Sequence, residues 1–144
     1  MAIAGPPIEI LLVEDNPADV RLTVEALKDA RVANRLHVAR DGVEAINMLK
    51  DESGAVPRPD LILLDLNLPR KDGREVLQEI KQDERLRHIP VVVLSTSQAE
   101  QDIAQSYRLR ANAFVTKPVE IDHFFEVVRS MEHFWLQAAR LARP

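Results

Sequence analysis

Three short apolar runs without polar alternation constrain the fold of this chain more than any other feature. They cover residues 8–13, 60–64 and 90–94. A strand that is covered on both faces is continuously apolar, whereas a strand with one solvent-exposed face alternates between apolar and polar residues. These runs therefore predict buried strands of a parallel sheet.

Helical periodicity separates the predicted strands. Val20, Val24 and Leu27 recur at helical spacing within a predicted helix over about residues 17–32. Similar patterns predict further helices over about 42–50, after residue 73, over 99–109 and over 121–141, and shorter strands over 36–39 and 113–116. Because parallel strands require crossovers, which are right-handed, five strand–helix units predict an α/β fold with a doubly wound five-stranded parallel sheet.

Length and composition limit what this fold can carry. With 144 residues, 46% of them hydrophobic, we expect one domain over 1–144 with a core over about 8–130 and no output domain. The net charge of -4 argues against direct nucleic-acid binding, which needs clustered basic residues. No apolar run reaches membrane-spanning length and no leader pattern is present, so we expect a cytoplasmic protein without membrane association.

Charged residues follow three of the predicted strands. Glu14 and Asp15 follow the first strand, Asp65 the third and Lys117 the fifth. Ligands of open parallel sheets bind outside the carboxyl ends of the strands, so these groups can converge there. A single acid after a strand often caps a helix, but clustered carboxylates suit Mg2+, which prefers oxygen ligands. The pattern predicts a site for a divalent cation and a phosphoryl group.

At these positions the sequence resembles the receiver domain of response regulators over nearly its whole length. The matching stretches are 12–16, 60–69 with Asp72 and Gly73, 90–95 and 114–118. The resemblance implies a flavodoxin-like (βα)5 fold. It also implies that Asp65 accepts a phosphoryl group from a phosphohistidine on a sensor histidine kinase.

The same resemblance implies roles for the residues around Asp65. Asp15 and Asp65, helped by Glu14 and the Asn67 carbonyl, would hold Mg2+. Ser95 and Lys117 would bind phosphoryl oxygens. These roles agree with the chemistry of phosphoryl transfer, which depends mostly on positioning and charge neutralisation.

Two local features extend the predicted site. An X-Pro bond can be cis at modest cost, and we predict a cis Lys117–Pro118 bond because it would aim Lys117 across the sheet edge. In the family an aromatic at the position of Phe114 changes rotamer as the hydroxyl of Ser95 moves, often as tyrosine. Phe114 lacks the phenolic oxygen, so any such switch must act through packing.

The predicted final helix has a wider apolar arc than a single sheet contact requires. Its two stripes are Phe124, Val128, Met131, Trp135 and Ala138, and Val127, Met131, Phe134, Ala138 and Leu141. A helix packed on its own sheet needs a stripe of roughly 100°. The excess could cover a wide sheet edge, but we predict a homodimer interface centred on Phe134 or Trp135. Stretches 106–109, 111–113 and 132–136 look similar to the single-domain regulators of bacterial phytochrome kinases, which implies a homodimer and a light-responsive kinase as one candidate partner.

Three other functions share parts of this pattern. A flavodoxin would need a phosphate-binding first loop, where Glu14 and Asp15 would repel the ligand. A haloacid-dehalogenase-type phosphatase would need a second acid after Asp65, where the sequence has Leu66-Asn67. A degenerate receiver that only binds other proteins is the remaining alternative. We predict a phosphorylation-dependent signalling switch that catalyses its own phosphorylation and is not a turnover enzyme.

Overall fold

The computed structural model describes residues 3–28, 32–118 and 120–138, which contain one five-stranded sheet. Its strands are β1 (Ile3–Val13), β2 (Val32–Ala39), β3 (Leu61–Leu64), β4 (Val91–Ser95) and β5 (Ala113–Thr116). Every neighbouring pair is parallel, and the order is β2-β1-β3-β4-β5. The order reverses at β1, so the predicted doubly wound sheet is confirmed. The crevice at this reversal is where such sheets bind ligands.

In the described ranges, five α-helices alternate with the strands. They are α1 (Pro17–Lys28), α2 (Gly42–Lys50), α3 (Gly73–Gln82), α4 (Glu100–Arg108) and α5 (Ile121–Met131). β1 and β2 begin earlier than expected. The added part pairs Ile3 with Val32, and the register is irregular between Ile3 and Ile8. Pro6 and Pro7 lie in this interval, and proline cannot donate to a strand ladder.

Side-chain caps fix where three helices begin. At the start of α1 the Asn16 Oδ1 atom accepts from the Ala18 N–H at 2.9 Å. Asp41 accepts from the Glu44 N–H at 2.8 Å, and Asp72 accepts from the Arg74 N–H at 3.0 Å. Each cap satisfies a backbone donor that has no partner inside its helix. All three caps lie between a strand's carboxyl end and the next helix, and so they hold the loops that border the predicted site.

The core forms two clusters, one on each face of the sheet. One contains Val13, Leu64 and Val93 with Val76, Leu77 and Ile80 of α3. The other contains Leu12, Leu63 and Leu94 with Val20 and Leu27 of α1 and Phe124 and Val128 of α5. Alternate residues of one strand enter opposite clusters, which explains the continuous apolar runs. None of the helices in the described ranges is both long and apolar enough to cross a membrane.

The final helix differs from the predicted α-helix over 121–141. After α5 the chain continues as a π-helix over Glu132–Ala138, and residues 139–141, including Leu141, lie outside the described residues. A π-helix has more residues per turn than an α-helix, so the later part of each predicted stripe rotates relative to the earlier part. Phe124, Val128 and Met131 are buried as expected, whereas Phe134 is 54% exposed.

Candidate functional site

The parallel register brings the predicted acids together at one edge of the sheet. Val13 pairs with Leu64, and the Asp65 N–H donates to the Val13 carbonyl at 3.0 Å, so Glu14 and Asp65 follow paired residues. Carboxylate oxygens of Glu14, Asp15 and Asp65 lie within 4.8 Å of one another. Glu14 and Asp65 are buried, and Asp15 is exposed. The cluster is therefore rigid on its inner side and open to solvent through Asp15.

Lys117 supplies a positive charge to this cluster from the end of β5. It is only 5% exposed, and its Nζ atom donates to Glu14 and, at 2.9 Å, to Asp19. The same nitrogen lies 3.5 Å from Asp65 Oδ2. The ammonium thus lies among three carboxylates, which is what a buried lysine needs in order to stay charged.

Burial and pairing have opposing effects on the ionisation of this cluster. Burial, reinforced by the charge of Asp65, raises the pKa of Glu14 to about 7 against the lowering effect of Lys117. Burial also disfavours the charged form of Lys117, but the hydrogen bond to Glu14 and the charges of Asp65 and Glu14 outweigh it and raise the pKa of the ammonium. Three carboxyl groups, those of Glu14, Asp19 and Asp65, share the Lys117 ammonium, and Asp15 adds a fourth to the cluster. This excess of hard oxygen donors fits a divalent cation such as Mg2+.

The predicted cis bond between Lys117 and Pro118 is wrong. Among the described residues, which include both partners, every peptide bond is trans. Thr116 pairs with Ser95 across the β4–β5 ladder, and the Lys117 N–H donates to the Ser95 carbonyl at 2.6 Å. This pairing already directs Lys117 toward the acids, so a cis turn is not needed to bring them together.

The loop after β3 packs tightly behind Asp65. A Cβ atom at Gly73 would lie 2.2 Å from the Asp65 carbonyl oxygen, so only glycine fits there without displacing the backbone of Asp65. The Gly73 N–H also donates to the Leu66 carbonyl at 2.8 Å. Asn67 is exposed, and its N–H donates to Asp65 Oδ1 at 3.4 Å. The structure therefore places Asn67 beside Asp65, while metal binding by its carbonyl stays a prediction.

The two predicted switch residues occupy different environments. Ser95 is fully buried at the end of β4, and its Oγ atom accepts from the Ser97 N–H at 3.2 Å. Phe114 is partly buried against the core cluster that includes α3, and its N–H donates to the Tyr107 hydroxyl at 3.1 Å. These contacts suit core packing by Phe114, and its switch role stays a prediction.

The two predicted interface aromatics lie in the π-helical segment, away from the acids in sequence. The rings of Phe134 and Trp135 meet edge to face with centroids 5.3 Å apart. They border a cleft of about 560 Å³ whose lining also includes Val115, Pro118, Val127 and Met131. Trp135 is partly buried against the core, whereas Phe134 faces outward.

Asp19 belongs to the site although it was not among the residues predicted to form it. Its Oδ2 atom lies 2.9 Å from Lys117 Nζ. The available signal was its position in the first turn of α1, since that turn begins at the same sheet edge as Asp15. Periodicity alone places Asp19 away from the apolar stripe and does not show that Lys117 reaches it.

An α/β domain with clustered acids and a lysine at the carboxyl edge of its sheet is the architecture of a receiver. Residues 10–129 match the response regulator receiver domain, and the chain belongs to this family. Membership makes it a signalling protein rather than a turnover enzyme, as predicted.

Within the receiver family, the chain is similar to several response regulators that are associated with phytochromes. Response regulator Rcp1 of Synechocystis sp. is 49% identical over 140 residues, covering 96% of this chain and 95% of Rcp1. The crystal structure of Mn2+-bound Rcp1 has a TM-score of 0.91 at 49% identity and covers 95% of this chain and 100% of that chain. The phosphorylated cyanobacterial phytochrome response regulator RcpA also has a TM-score of 0.91, at 50% identity, and covers 96% and 100%. The bacteriophytochrome response regulator AtBRR has a TM-score of 0.70 at 46% identity, with coverage of 96% and 100%. The predicted likeness to phytochrome-associated regulators is confirmed.

Proposed function

We propose that the protein is a phosphorylation-dependent switch in which Asp65 accepts a phosphoryl group from a sensor histidine kinase. The observation that supports this most strongly is the position of Asp65, which is buried, 3.5 Å from the Lys117 ammonium and within a cluster of carboxylates. A carboxylate oxygen of Asp65 forms a bond to phosphorus as the bond from phosphorus to the kinase imidazole nitrogen breaks. The imidazole takes up a proton as it leaves.

The surrounding residues would position and neutralise the charges of this step. Asp15 and Asp65, with Glu14 and the Asn67 carbonyl, would hold Mg2+, which when bound supplies positive charge that offsets repulsion between the carboxylate and the incoming anion. Lys117 adds a fixed ammonium, and the Ser95 hydroxyl would donate to a phosphoryl oxygen. The Mn2+-bound form of Rcp1 and the phosphorylated form of RcpA support both parts of this assignment.

Incubation with a small phosphodonor such as acetyl phosphate tests the proposal. With Mg2+ present, intact-protein mass spectrometry should detect one added phosphoryl group per chain, and chelation of Mg2+ should prevent the addition. Both expectations rest on the need for charge neutralisation in phosphoryl transfer. A folded protein that takes up no phosphoryl group with Mg2+ would instead be a degenerate receiver that acts only through binding.

We also propose a phytochrome-type kinase as the natural donor. The similarity to AtBRR and RcpA supports this choice. The same mass assay, with an autophosphorylated phytochrome kinase in place of acetyl phosphate, would compare its transfer rate with that of an unrelated histidine kinase. Equal rates from both kinases would contradict the assignment.

We further propose that two copies of the chain associate through the surface formed by Phe134 and Trp135. Phe134 is a large apolar side chain with 54% of its area exposed, next to an apolar cleft of about 560 Å³. A two-fold axis would bring the same patch of each copy together, so that one aromatic side chain could enter the other copy's cleft. Burying exposed aromatics is a common source of interface energy.

Light scattering should show that a Phe134→Ala, Trp135→Ala double variant dimerises at least about 2 kcal/mol more weakly than the wild type. Ile121→Ala is a matched control, since Ile121 is 61% exposed and lies at the opposite end of the final helix, about 20 Å away. Circular dichroism would check that each variant is folded. These aromatics do not form an interface if the wild type is monomeric at tens of micromolar. The same conclusion follows if the double variant dimerises with the same affinity as the wild type.

A further inference from the structure

A chain of hydrogen bonds connects the switch serine to the start of α3. Ser95 Oγ accepts from the Ser97 N–H at 3.2 Å, and the Ser97 hydroxyl donates to Asp102 Oδ2 at 2.6 Å. The other carboxylate oxygen of Asp102 accepts from Arg74 Nη2 at 2.7 Å. The β4–α4 loop is thereby tied to two helices through a single carboxylate.

Arg74 is a fixed anchor for this chain. Its backbone N–H and its guanidinium both bond to the carboxylate of Asp72, the residue that caps α3. The next residue in sequence, Gly73, packs against the Asp65 carbonyl without room for a side chain. The anchor therefore belongs to the tightly packed segment behind Asp65 and not to a mobile surface arm.

The charges in this network reinforce one another. The Ser97 hydroxyl and then Arg74 lower the pKa of Asp102, so Asp102 is a carboxylate acceptor. Burial disfavours the charged form of Arg74, but its bonds to Asp102 and Asp72 prevail and raise its pKa. Asp102 and Arg74 are 27% and 24% exposed, so water screens this pair less than a fully exposed one. Charge-assisted hydrogen bonds of this kind are stronger than neutral ones.

The network would oppose movement of the Ser95 hydroxyl toward Asp65. Within the described part of the chain, Ser95 Oγ bonds to the Ser97 N–H and makes no hydrogen bond to Asp65. Any displacement of the Ser95 hydroxyl toward a phosphoryl oxygen on Asp65 would either break the hydrogen bond from the Ser97 N–H or carry Ser97 along. If Ser97 moves together with Ser95, the hydrogen bond from Ser97 to Asp102 breaks. That bond survives only if α4 follows Ser97, and α4 then moves away from Arg74.

We propose that Asp102 is a positioning residue for the phosphorylation reaction. Together with Arg74 it holds Ser97 in place, and Ser97 in turn holds the Ser95 hydroxyl in its resting position. This inference rests on the proposed function of Asp65. The contact between Ser97 and Asp102 stabilises the resting position of Ser95. Such a contact disfavours the position in which Ser95 would bind the phosphoryl group, so loss of Asp102 should favour phosphorylation of Asp65. A merely structural Asp102 would have the opposite effect or none.

Two substitutions test this role. Asp102→Asn and Ser97→Ala should each raise the initial rate of labelling by acetyl phosphate roughly three- to tenfold, the effect of one lost hydrogen bond. Ser97→Thr retains the hydroxyl and should label at the wild-type rate. The Asp102→Asn, Ser97→Ala double variant should gain no more than Ser97→Ala alone, because residue 102 has no contact with residue 97 once the Ser97 hydroxyl is removed. Glu100→Gln, an exposed acid in the same helical turn, is the matched control and should leave the rate unchanged.

A second measurement does not depend on phosphorylation. Amide hydrogen exchange at Ser97 should be faster in the unphosphorylated Asp102→Asn variant than in the wild type, while exchange in β4 stays the same. If the wild type is labelled and the folded Asp102→Asn and Ser97→Ala variants are labelled at the same rate or more slowly, the positioning role is wrong while the proposed function stands. Unchanged Ser97 exchange in Asp102→Asn would also overturn it. A wild type that takes up no label would instead overturn the proposed function.

Discussion

Replacement of Asp65 by asparagine should abolish uptake of the phosphoryl group from acetyl phosphate. Asparagine has nearly the same size, so the packing of Gly73 behind the residue is preserved. An amide lacks the anionic oxygen that attacks phosphorus, so the initial labelling rate should fall by at least about a hundredfold. Intact-protein mass spectrometry in the presence of Mg2+ measures the added group directly.

The control for this variant is Asp122→Asn. Asp122 is exposed in the first turn of α5 and lies outside the carboxylate cluster, so its replacement should leave labelling at the wild-type level. Removal of one surface charge should not disturb the fold. Full labelling of the Asp65→Asn protein at a different residue would contradict the assignment of Asp65.

The sheet and the clustering of its acidic residues were predictable from the sequence, because strands that are buried on both faces are continuously apolar. Val13 and Leu64 lie in continuously apolar runs, and their pairing brings Glu14 and Asp65 to adjacent positions. No knowledge of side-chain geometry is needed for this step, since parallel strands end at a common edge. The identity of the clustered residue types then determines the chemistry, because carboxylates recruit hard cations.

The contacts of Lys117 could not be predicted in the same way. They depend on the direction of one side chain, which the ladder between β4 and β5 sets through the bond from the Lys117 N–H to the Ser95 carbonyl. The expected cis bond attributed this direction to Pro118 and overlooked the ladder. The contact with Asp19 has a similar origin, since it depends on how the first turn of α1 faces the sheet edge.

The end of the final helix was mispredicted for a different reason. The apolar stripes of α5 continue in the sequence through Trp135 at α-helical spacing, and this spacing gives no sign of a change in helix type. The π-helical turns over Glu132–Ala138 change where Phe134 lies relative to the buried residues of α5. Local periodicity measures which residues are apolar, whereas the winding of the last turns depends on tertiary packing.

Substitution of Asp15 by alanine should remove Mg2+ binding while retaining the fold. Asp15 is the exposed member of the carboxylate cluster, so its loss takes away a ligand and no core contact. Mg2+ affinity measured by titration calorimetry should fall at least about tenfold, the lower end of the loss seen when even supporting residues of metal sites are changed. Labelling by acetyl phosphate should be lost with it.

Thermal unfolding separates this loss of a ligand from damage to the protein. A cation that binds only the folded state raises the midpoint of unfolding, so added Mg2+ should stabilise the wild type and have little effect on Asp15→Ala. Without Mg2+ the two proteins should unfold within about 0.5 kcal/mol of each other, as is usual for a surface substitution. Glu25→Ala removes an exposed acid farther along α1, outside the cluster, and should respond to Mg2+ like the wild type. If Asp15→Ala gained as much stability from Mg2+ as the wild type, the cation would have to bind without Asp15, and the proposed ligand set would be wrong.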